Sequence, residues 1–360
     1  MTVRHHSVLR RRGRLVGLLV AVVATLGACG SGSGTPTTSG SSGSAPAPAT
    51  VRLGYFPNVT HAVPIVADRE GLFAKRLGST KLEVSTFNAG PAAMEALKSG
   101  AVDATYVGPG PATNTFINSG GQAIRVVAGA ASGGSFLVVR PGITSAADLR
   151  GKTIATPQLG NTQDIALRYW LKTQNLTSDL QGGGDVHVSP MDNSQTLSAF
   201  AQKLIDGAWV PEPYATRLIL DSGAHVLLDE RTVWPNGKFA VTLLAVRTDF
   251  LQEHPDTVRA LVEAGVDALQ VISTTPAKAQ QDVADVIATV SGKPIKADVL
   301  AASWKNLDFT SDPVASSVVA GAEHAFEVGI LKTKPALDGL VDLSILNAVL
   351  TARGLPAVAS

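Results

Sequence analysis

Between Val51 and Leu251 the chain alternates short apolar runs with helical patterns, and few folds accommodate that rhythm. Strand-like runs lie at 51–56, 81–87, 102–108, 123–130, 135–142, 185–190, 206–210, 225–230 and 240–251. Apolar residues at helical spacing cover 63–77, 89–100, 109–121, 194–205 and 211–223, and 146–176 reads as short helix, strand, loop and long helix. A strand, a crossover helix and a second strand pair in parallel, so the expected class is α/β with mostly parallel sheets. From Pro255 onward the pattern is mainly helical. The roughly 310 residues after position 50 exceed one average domain, and two lobes are expected.

The two lobes echo one another. "ALKSGAVDATYVGPGPA" (96–112) and "AFAQKLIDGAWVPEPYA" (199–215) each read as helix, aspartate beside a small residue, strand, proline-rich loop and helix. In that register Ala96 matches Ala199, Asp103 matches Asp206, Val107 matches Val210 and Ala112 matches Ala215. A single echo of this kind fits two similar lobes better than an array of short repeats.

Several helices begin directly after strands, at Gly90-Pro91, Gly110-Pro111, Asn161-Thr162 and Glu212-Pro213. Proline in the first helical turn sacrifices no hydrogen bond, because that N–H has no intrahelical partner anyway. Asn161 with Asp164 three residues on resembles a capping pair. Ligands of open α/β sheets bind beyond the carboxyl ends of the strands, where these helix starts fall. Free N–H groups and the helix dipole favour an anion there, with no dedicated lysine or arginine. Capped helices are equally a routine feature of α/β proteins, so this argument alone leaves the site open. His61, in the loop after the first strand, either faces the cleft or is an ordinary loop histidine.

The start of the chain carries a different message. Residues 1–14 hold five arginines and no acid, and Leu15–Leu26 is almost wholly apolar, too short to span a bilayer. A basic start, a short apolar run and small residues read as an export signal over 1–28. Leu26-Gly27-Ala28-Cys29 resembles a bacterial lipobox, with Cys29, the only cysteine, as the lipidated first residue. An ordinary signal peptide with an incidental cysteine is the other reading. Residues 30–50 are Gly, Ser, Thr, Pro and Ala only, so 29–50 reads as a flexible tether. Anchor and tether together place the folded part at the extracytoplasmic face of a membrane.

Composition excludes several functions. The formal net charge of +1 rests on the leader: without its five arginines, 25 basic residues face 29 acidic ones. No basic run or interleaved aromatic-basic pattern suggests nucleic acid. The histidines beyond the leader (His61, His187, His225, His254, His324) show no metal-ligand spacing, so no metal is expected. No glycine-rich stretch continues into GK[ST] and no GxSxG occurs, so neither a phosphate loop nor a nucleophile elbow is present. No cofactor and no catalysis are expected.

Four segments carry a resemblance: "LGYFPNVTHA", "FNAGPAAMEALKSGAVDATYVGPGPA", "ADLRGKTIATPQLGNTQDIALRYWL" and "DGAWVPEPYATRL". They resemble substrate-binding proteins of ABC importers in the nitrate/sulfonate/taurine/bicarbonate group, most of all the aliphatic-sulfonate branch. The resemblance implies a two-lobed type II periplasmic-binding-protein fold, with lobe 1 from 51–133 and 240–360 and lobe 2 from 134–239. Hinges would lie near Gly134–Val138 and Phe239–Leu243. The implied partners are a small anionic ligand, an ABC permease with its ATPase, and the membrane through the lipid anchor; a monomer is expected. Carried over to this chain, ligand contacts would come from Asn58, Thr60, His61, Gly90, Pro91, Gly108, Pro109 and Gly110 of the first lobe. Gly160, Asn161, Thr162 and Gln163 would contribute from the second.

Trp209, Glu212 and Tyr214 would close the cleft, with Trp209 or Tyr214 against an alkyl chain, though core packing serves Trp209 equally. Glu212 would either point away from an anion or meet the ammonium of an amino-sulfonate such as taurine. The loop "FPNVTHA" is longer and more polar than the glycine-rich loop of many sulfonate binders, which keeps nitrate and bicarbonate open. An enzyme resembling thiamine-pyrimidine synthases is disfavoured, since those use a cysteine-rich motif and a cofactor-bearing lysine. A non-transport sensor on the same fold stays open.

Overall fold

The computed structural model describes residues 47–359. The expected signal peptide, Cys29 and most of the expected tether lie outside them.

The chain builds β1 (Thr50–Tyr55), α1 (Ala62–Arg69), α2 (Leu72–Leu77), β2 (Lys81–Thr86), α3 (Gly90–Lys98), β3 (Ala104–Val107), α4 (Pro109–Asn118) and β4 (Ile124–Gly133). It crosses to β5 (Ser135–Val139), β6 (Thr153–Thr156), α5 (Thr162–Thr173), β7 (His187–Pro190), α6 (Asn193–Ala201), β8 (Gly207–Pro211), α7 (Tyr214–Ser222) and β9 (His225–Asp229). It then returns through β10 (Ala240–Arg247), α8 (Thr248–Glu253), α9 (Pro255–Thr274), α10 (Pro276–Ser291), α11 (Ala297–Lys305), β11 (Leu307–Phe309), α12 (Ala315–Glu327) and α13 (Ser344–Ala352). The helix expected over 63–77 is broken in two at Gly71, whose φ of +67° lies in the left-handed region where glycine is at no disadvantage. No helix among the described residues is long and apolar enough to cross a membrane.

Two sheets form, in the orders β11-β4-β10-β3-β1-β2 and β7-β6-β8-β5-β9. β1 pairs in parallel with β2 and β3, and β6 with β7 and β8. The sheets are nevertheless mixed, not mostly parallel as expected: β10 is antiparallel to β3 and β4, and β5 to β8 and β9. The reason lies in the connectivity. β5 and β10 are the strands by which the chain enters a new sheet. Each arrives at the end where the parallel strands finish, and so runs against them.

Helices cover both faces of each sheet, and strand periodicity divides the core accordingly. Along β5, Leu137 and Val139 join one apolar cluster while Phe136 and Val138 join the other. β8 does the same, with Trp209 on the Leu137 side and Ala208 and Val210 opposite. The echoed aspartates occupy matching places. Asp103 takes an N–H from Arg52 on its Oδ2 at 2.9 Å and donates its own to Arg52 O at 2.8 Å. Asp206 does both with Thr153, at 2.9 and 2.8 Å.

Candidate functional site

The carboxyl ends of the parallel strands of both sheets face a common cleft. A cavity of about 20 Å³, partly open to solvent, lies there, lined from the first lobe by Asn58, Thr60, His61 and Gly108 and from the second by Asn161, Thr162 and Gln163. A water needs roughly 10–15 Å³ of such space, so the cavity at this size admits only a small group. Phe56, Asn58, Asn88 and Asn193 also line an outer chamber of about 290 Å³. Phe87, Tyr214, Asp192, Arg217 and Lys293 form part of that chamber's wall.

The lobes touch beside this cavity. The Gly110 N–H donates to Thr162 Oγ1 at 3.2 Å. A Cβ on Gly108 would fall 2.4 Å from the same oxygen, and one on Gly110 3.1 Å from the Thr162 backbone nitrogen. Close approach between lobes, not unusual φ, therefore makes these positions glycine. Further along the seam, α12 packs on α5: the Tyr169 and His324 rings stack at 3.5 Å and Lys172 Nζ meets Glu327 Oε2 at 3.0 Å.

His61 is buried, and its ring stacks on Phe56 with centroids 4.2 Å apart. Its Nδ1 accepts the Phe56 N–H at 3.3 Å, so the neutral ring carries its proton on Nε2. Burial pushes its pKa down to about 3. His61 thus offers a ligand a neutral N–H and no positive charge.

The helix termini are more occupied than the sequence suggests. α4 starts at Pro109, one residue before the expected Gly110-Pro111. Pro109 and Pro111 have no N–H, and the Gly110 N–H is engaged by Thr162. At α5 the Thr162 N–H bonds Asn161 Oδ1 at 2.9 Å. Asp164 accepts from the Gly160 N–H, the Thr156 hydroxyl and Arg168 Nε rather than closing a capping pair with Asn161.

At α7 the chain supplies its own anion. Glu212 Oε2 accepts the Thr216 N–H and the Ser303 hydroxyl, both at 3.1 Å, and Oε1 accepts the Thr216 hydroxyl at 2.7 Å and Asn306 Nδ2 at 2.6 Å. Burial raises its pKa while these donors pull it back.

Several expected contacts are corrected by this geometry. Glu212 does not line the cavity; its carboxylate is engaged and cannot receive a ligand ammonium. Trp209 is fully buried in the second-lobe core, its indole N–H donating to Glu230 Oε2 at 2.7 Å and Ser135 Oγ at 3.2 Å. Strand alternation turns it toward Leu137 and away from the cleft. Pro109 and Gly110 line a separate cavity with Trp234 and Phe239. Pro91 lines a surface groove with Lys98 and Leu159. A Cβ on Gly90 would lie 2.3 Å from Pro111 Cγ. Gly160, at φ +75°, shapes the turn before α5. Tyr214 belongs to the outer chamber. Sequence reasoning missed Asn88 and Asn193. Asn193 opens α6 just after β7, the same strand-end position that singled out Asn161, so the signal was present in "DNS" (192–194).

Comparison with known proteins adds independent findings. A model of the NMT1-like family matches residues 44–288. A putative binding protein of Brucella abortus (strain 2308) is 30% identical over 220 residues, 59% of this chain and 63% of that protein. The taurine-binding periplasmic protein of Escherichia coli (strain K12) is 28% identical over 215 residues, with the same coverages. The chain therefore spans 63% of the length of these relatives. Among solved structures, the alkanesulfonate-binding protein SsuA from Xanthomonas axonopodis pv. citri superposes with a TM-score of 0.69 at 20% identity, covering 82% of this chain and 98% of that one. The periplasmic nitrate-binding protein NrtA from Synechocystis PCC 6803 gives a TM-score of 0.74 at 17% identity, covering 87% and 91%. These likenesses show the periplasmic-binding-protein fold.

Proposed function

This chain belongs to the NMT1-like family, and on that premise we propose that it is the extracytoplasmic solute-binding receptor of an ABC importer, capturing a small oxyanion between two closing lobes. One observation carries the reading: a cavity lined by polar residues of both lobes, beside a direct contact from the Gly110 N–H to Thr162 Oγ1. A solute held there touches both lobes only when they close, so it favours the closed state by its extra contacts. A permease then recognises the closed form. Cys29 serves as the lipid anchor. A binding role is supported over catalysis because His61 is neutral, with Nδ1 taken by a backbone N–H rather than oriented by a carboxylate.

The oxyanion is an aliphatic sulfonate, with taurine, nitrate and bicarbonate as alternatives; the names of the relatives support this class. His61 Nε2–H, the Thr162 hydroxyl and the side-chain amides of Asn58, Asn161 and Gln163 are donors of the lining residues suited to its oxygens. A thermal-shift panel of ethanesulfonate, taurine, nitrate, bicarbonate and sulfate tests it. A ligand at ~100 times its Kd adds about 2.7 kcal/mol. A shift with at least one oxyanion is expected, and silence across the panel sinks the oxyanion reading.

A further inference from the structure

The inner cavity is uncharged: among the described residues, no lysine, arginine, aspartate or glutamate lines it. The outer chamber of about 290 Å³ is different. The two share Phe56 and Asn58 as wall, so a molecule too large for the small cavity continues into the large one. Two cations line the chamber, one from each lobe: Arg217 on α7 and Lys293 in the loop between α10 and α11.

The protein leaves Arg217 largely unused. Its Nε approaches Asp221 Oδ2 only at 4.0 Å, beyond hydrogen bonding, and Asp221 is held instead by Lys296 Nζ at 2.6 Å. The Arg217 side chain is 37% exposed, which leaves its planar fork of donors open to a carboxylate or another oxyanion. Lys293 is exposed as well. Asp192 is the one carboxylate on this wall among the described residues, so the cations outnumber it two to one. Burial foremost raises the pKa of Tyr214, while Arg217 and Asp192 pull it in opposite directions. Its phenol therefore stays protonated, a further donor on the same wall. Phe87 beside it offers apolar surface to a short carbon chain.

A compact monoanion in the inner cavity leaves Arg217 and Lys293 to water. The field of the whole protein gives a dianion no advantage: outside the leader, 25 basic residues face 29 acidic ones. A preference for a second negative charge has to come from the chamber itself.

We propose that the ligand carries a second acidic group, a carboxylate or another oxyanion, and that Arg217 and Lys293 receive it in the outer chamber. This rests on the oxyanion-receptor reading above and names the substrate class within it: a dianion with its charges at the two ends of a short carbon chain.

Isothermal titration of the purified protein with propane-1-sulfonate and 3-sulfopropanoate tests the proposal. The two share a three-carbon skeleton and differ in ending on a methyl or a carboxylate. The dianion should bind about tenfold tighter or more, and added salt should narrow that ratio. Arg217→Gln and Lys293→Gln should each shrink the ratio severalfold, and the double variant should bring it near one. Lys98→Gln, in the separate surface groove, removes the same charge and should leave the ratio as it was. Because each ratio is taken within one variant, a general loss of affinity does not mimic the effect. Should one variant fail to fold, the wild-type ratio, its salt dependence and the other variant still decide. Equal binding of the two compounds, a ratio that survives the double variant, or one that falls equally in Lys98→Gln overturns the proposal alone. If neither compound binds, nor nitrate, bicarbonate, taurine or sulfate, the oxyanion reading falls and takes the proposal with it.

Discussion

The stretches from α3 to α4 and from α6 to α7 are built alike at one end and unlike at the other. At the closed end, Asp103 and Asp206 each clasp the neighbouring strand by the same pair of bonds. Each also accepts a further backbone N–H on its carbonyl, from Arg247 at 3.1 Å and from Arg140 at 2.9 Å. At the cleft end the likeness stops. The entry to α4, Gly-Pro-Gly-Pro, is stripped of side chains and of most N–H groups, and Thr162 of the other lobe comes in against it. The entry to α7 is filled by Glu212, which reaches across to Ser303 and Asn306. A repeated scaffold thus holds two different cleft walls, one yielding to its partner and one tied to it.

Several measurements would break or sharpen that contrast. The largest effect should come from Glu212→Ala, which orphans the Thr216 N–H and hydroxyl and Asn306 Nδ2 together, while the Ser303 hydroxyl keeps Val299 O at 2.7 Å. A loss of about 3–5 kcal/mol in denaturant unfolding is expected. A loss below ~1 kcal/mol would mean that the carboxylate ties nothing together. Next come Asp103→Ala and Asp206→Ala, each expected to cost about 1–3 kcal/mol. Asp103 should be the costlier by less than ~1 kcal/mol, because its ion pair with Arg52 involves a side chain 41% exposed and so screened. Unequal losses in the opposite order would show the likeness to be geometric only.

Gly108→Ala should leave unfolding nearly unchanged, since the new methyl meets Thr162 only across the cleft. Its signature is weaker ligand binding, by about tenfold or more, or ~1.4 kcal/mol. Unaltered affinity by calorimetry would remove that contact from the closure. The smallest effect is on pH dependence. Glu212 and Glu230 both have pKa values raised by burial above the ordinary 4.5. The native state therefore holds their protons longer than the unfolded chain. Their contribution is full below pH 4.5 and is lost as pH rises through the folded pKa values. Glu212→Gln should flatten this slope without abolishing it, because Glu230 remains; an unchanged slope would show that Glu212 does not titrate as its burial requires.

Much of the architecture was legible because it follows from local pattern. Strand and helix alternation, the Asp103/Asp206 echo and the proline-marked helix starts are all written at short range. The reversed strands β5 and β10 were not, because direction depends on which sheet a strand enters. Trp209 and Glu212 were left open between cleft and core for a related reason: proximity to a strand end does not say which way a side chain points, and their burial is decided by β5 and α11, distant in sequence. The polar cavity was read in outline through Asn58, Thr60, His61, Asn161, Thr162 and Gln163. Asn193 sits at the same strand-end position as Asn161 and Asn88 lies just before the marked Gly90-Pro91, yet neither has a proline or glycine beside it to single it out.

The position of β10 has a consequence for the order in which the molecule can be assembled. It lies between β3 and β4, and β3 has no other neighbour on that side. A chain emerging from its amino end therefore holds the strands on either side of a vacant lane until residues 240–247 arrive. The second sheet, drawn wholly from 135–229, needs no such wait. Completion of the first lobe is deferred almost to the end of synthesis, and the second lobe is free to form first.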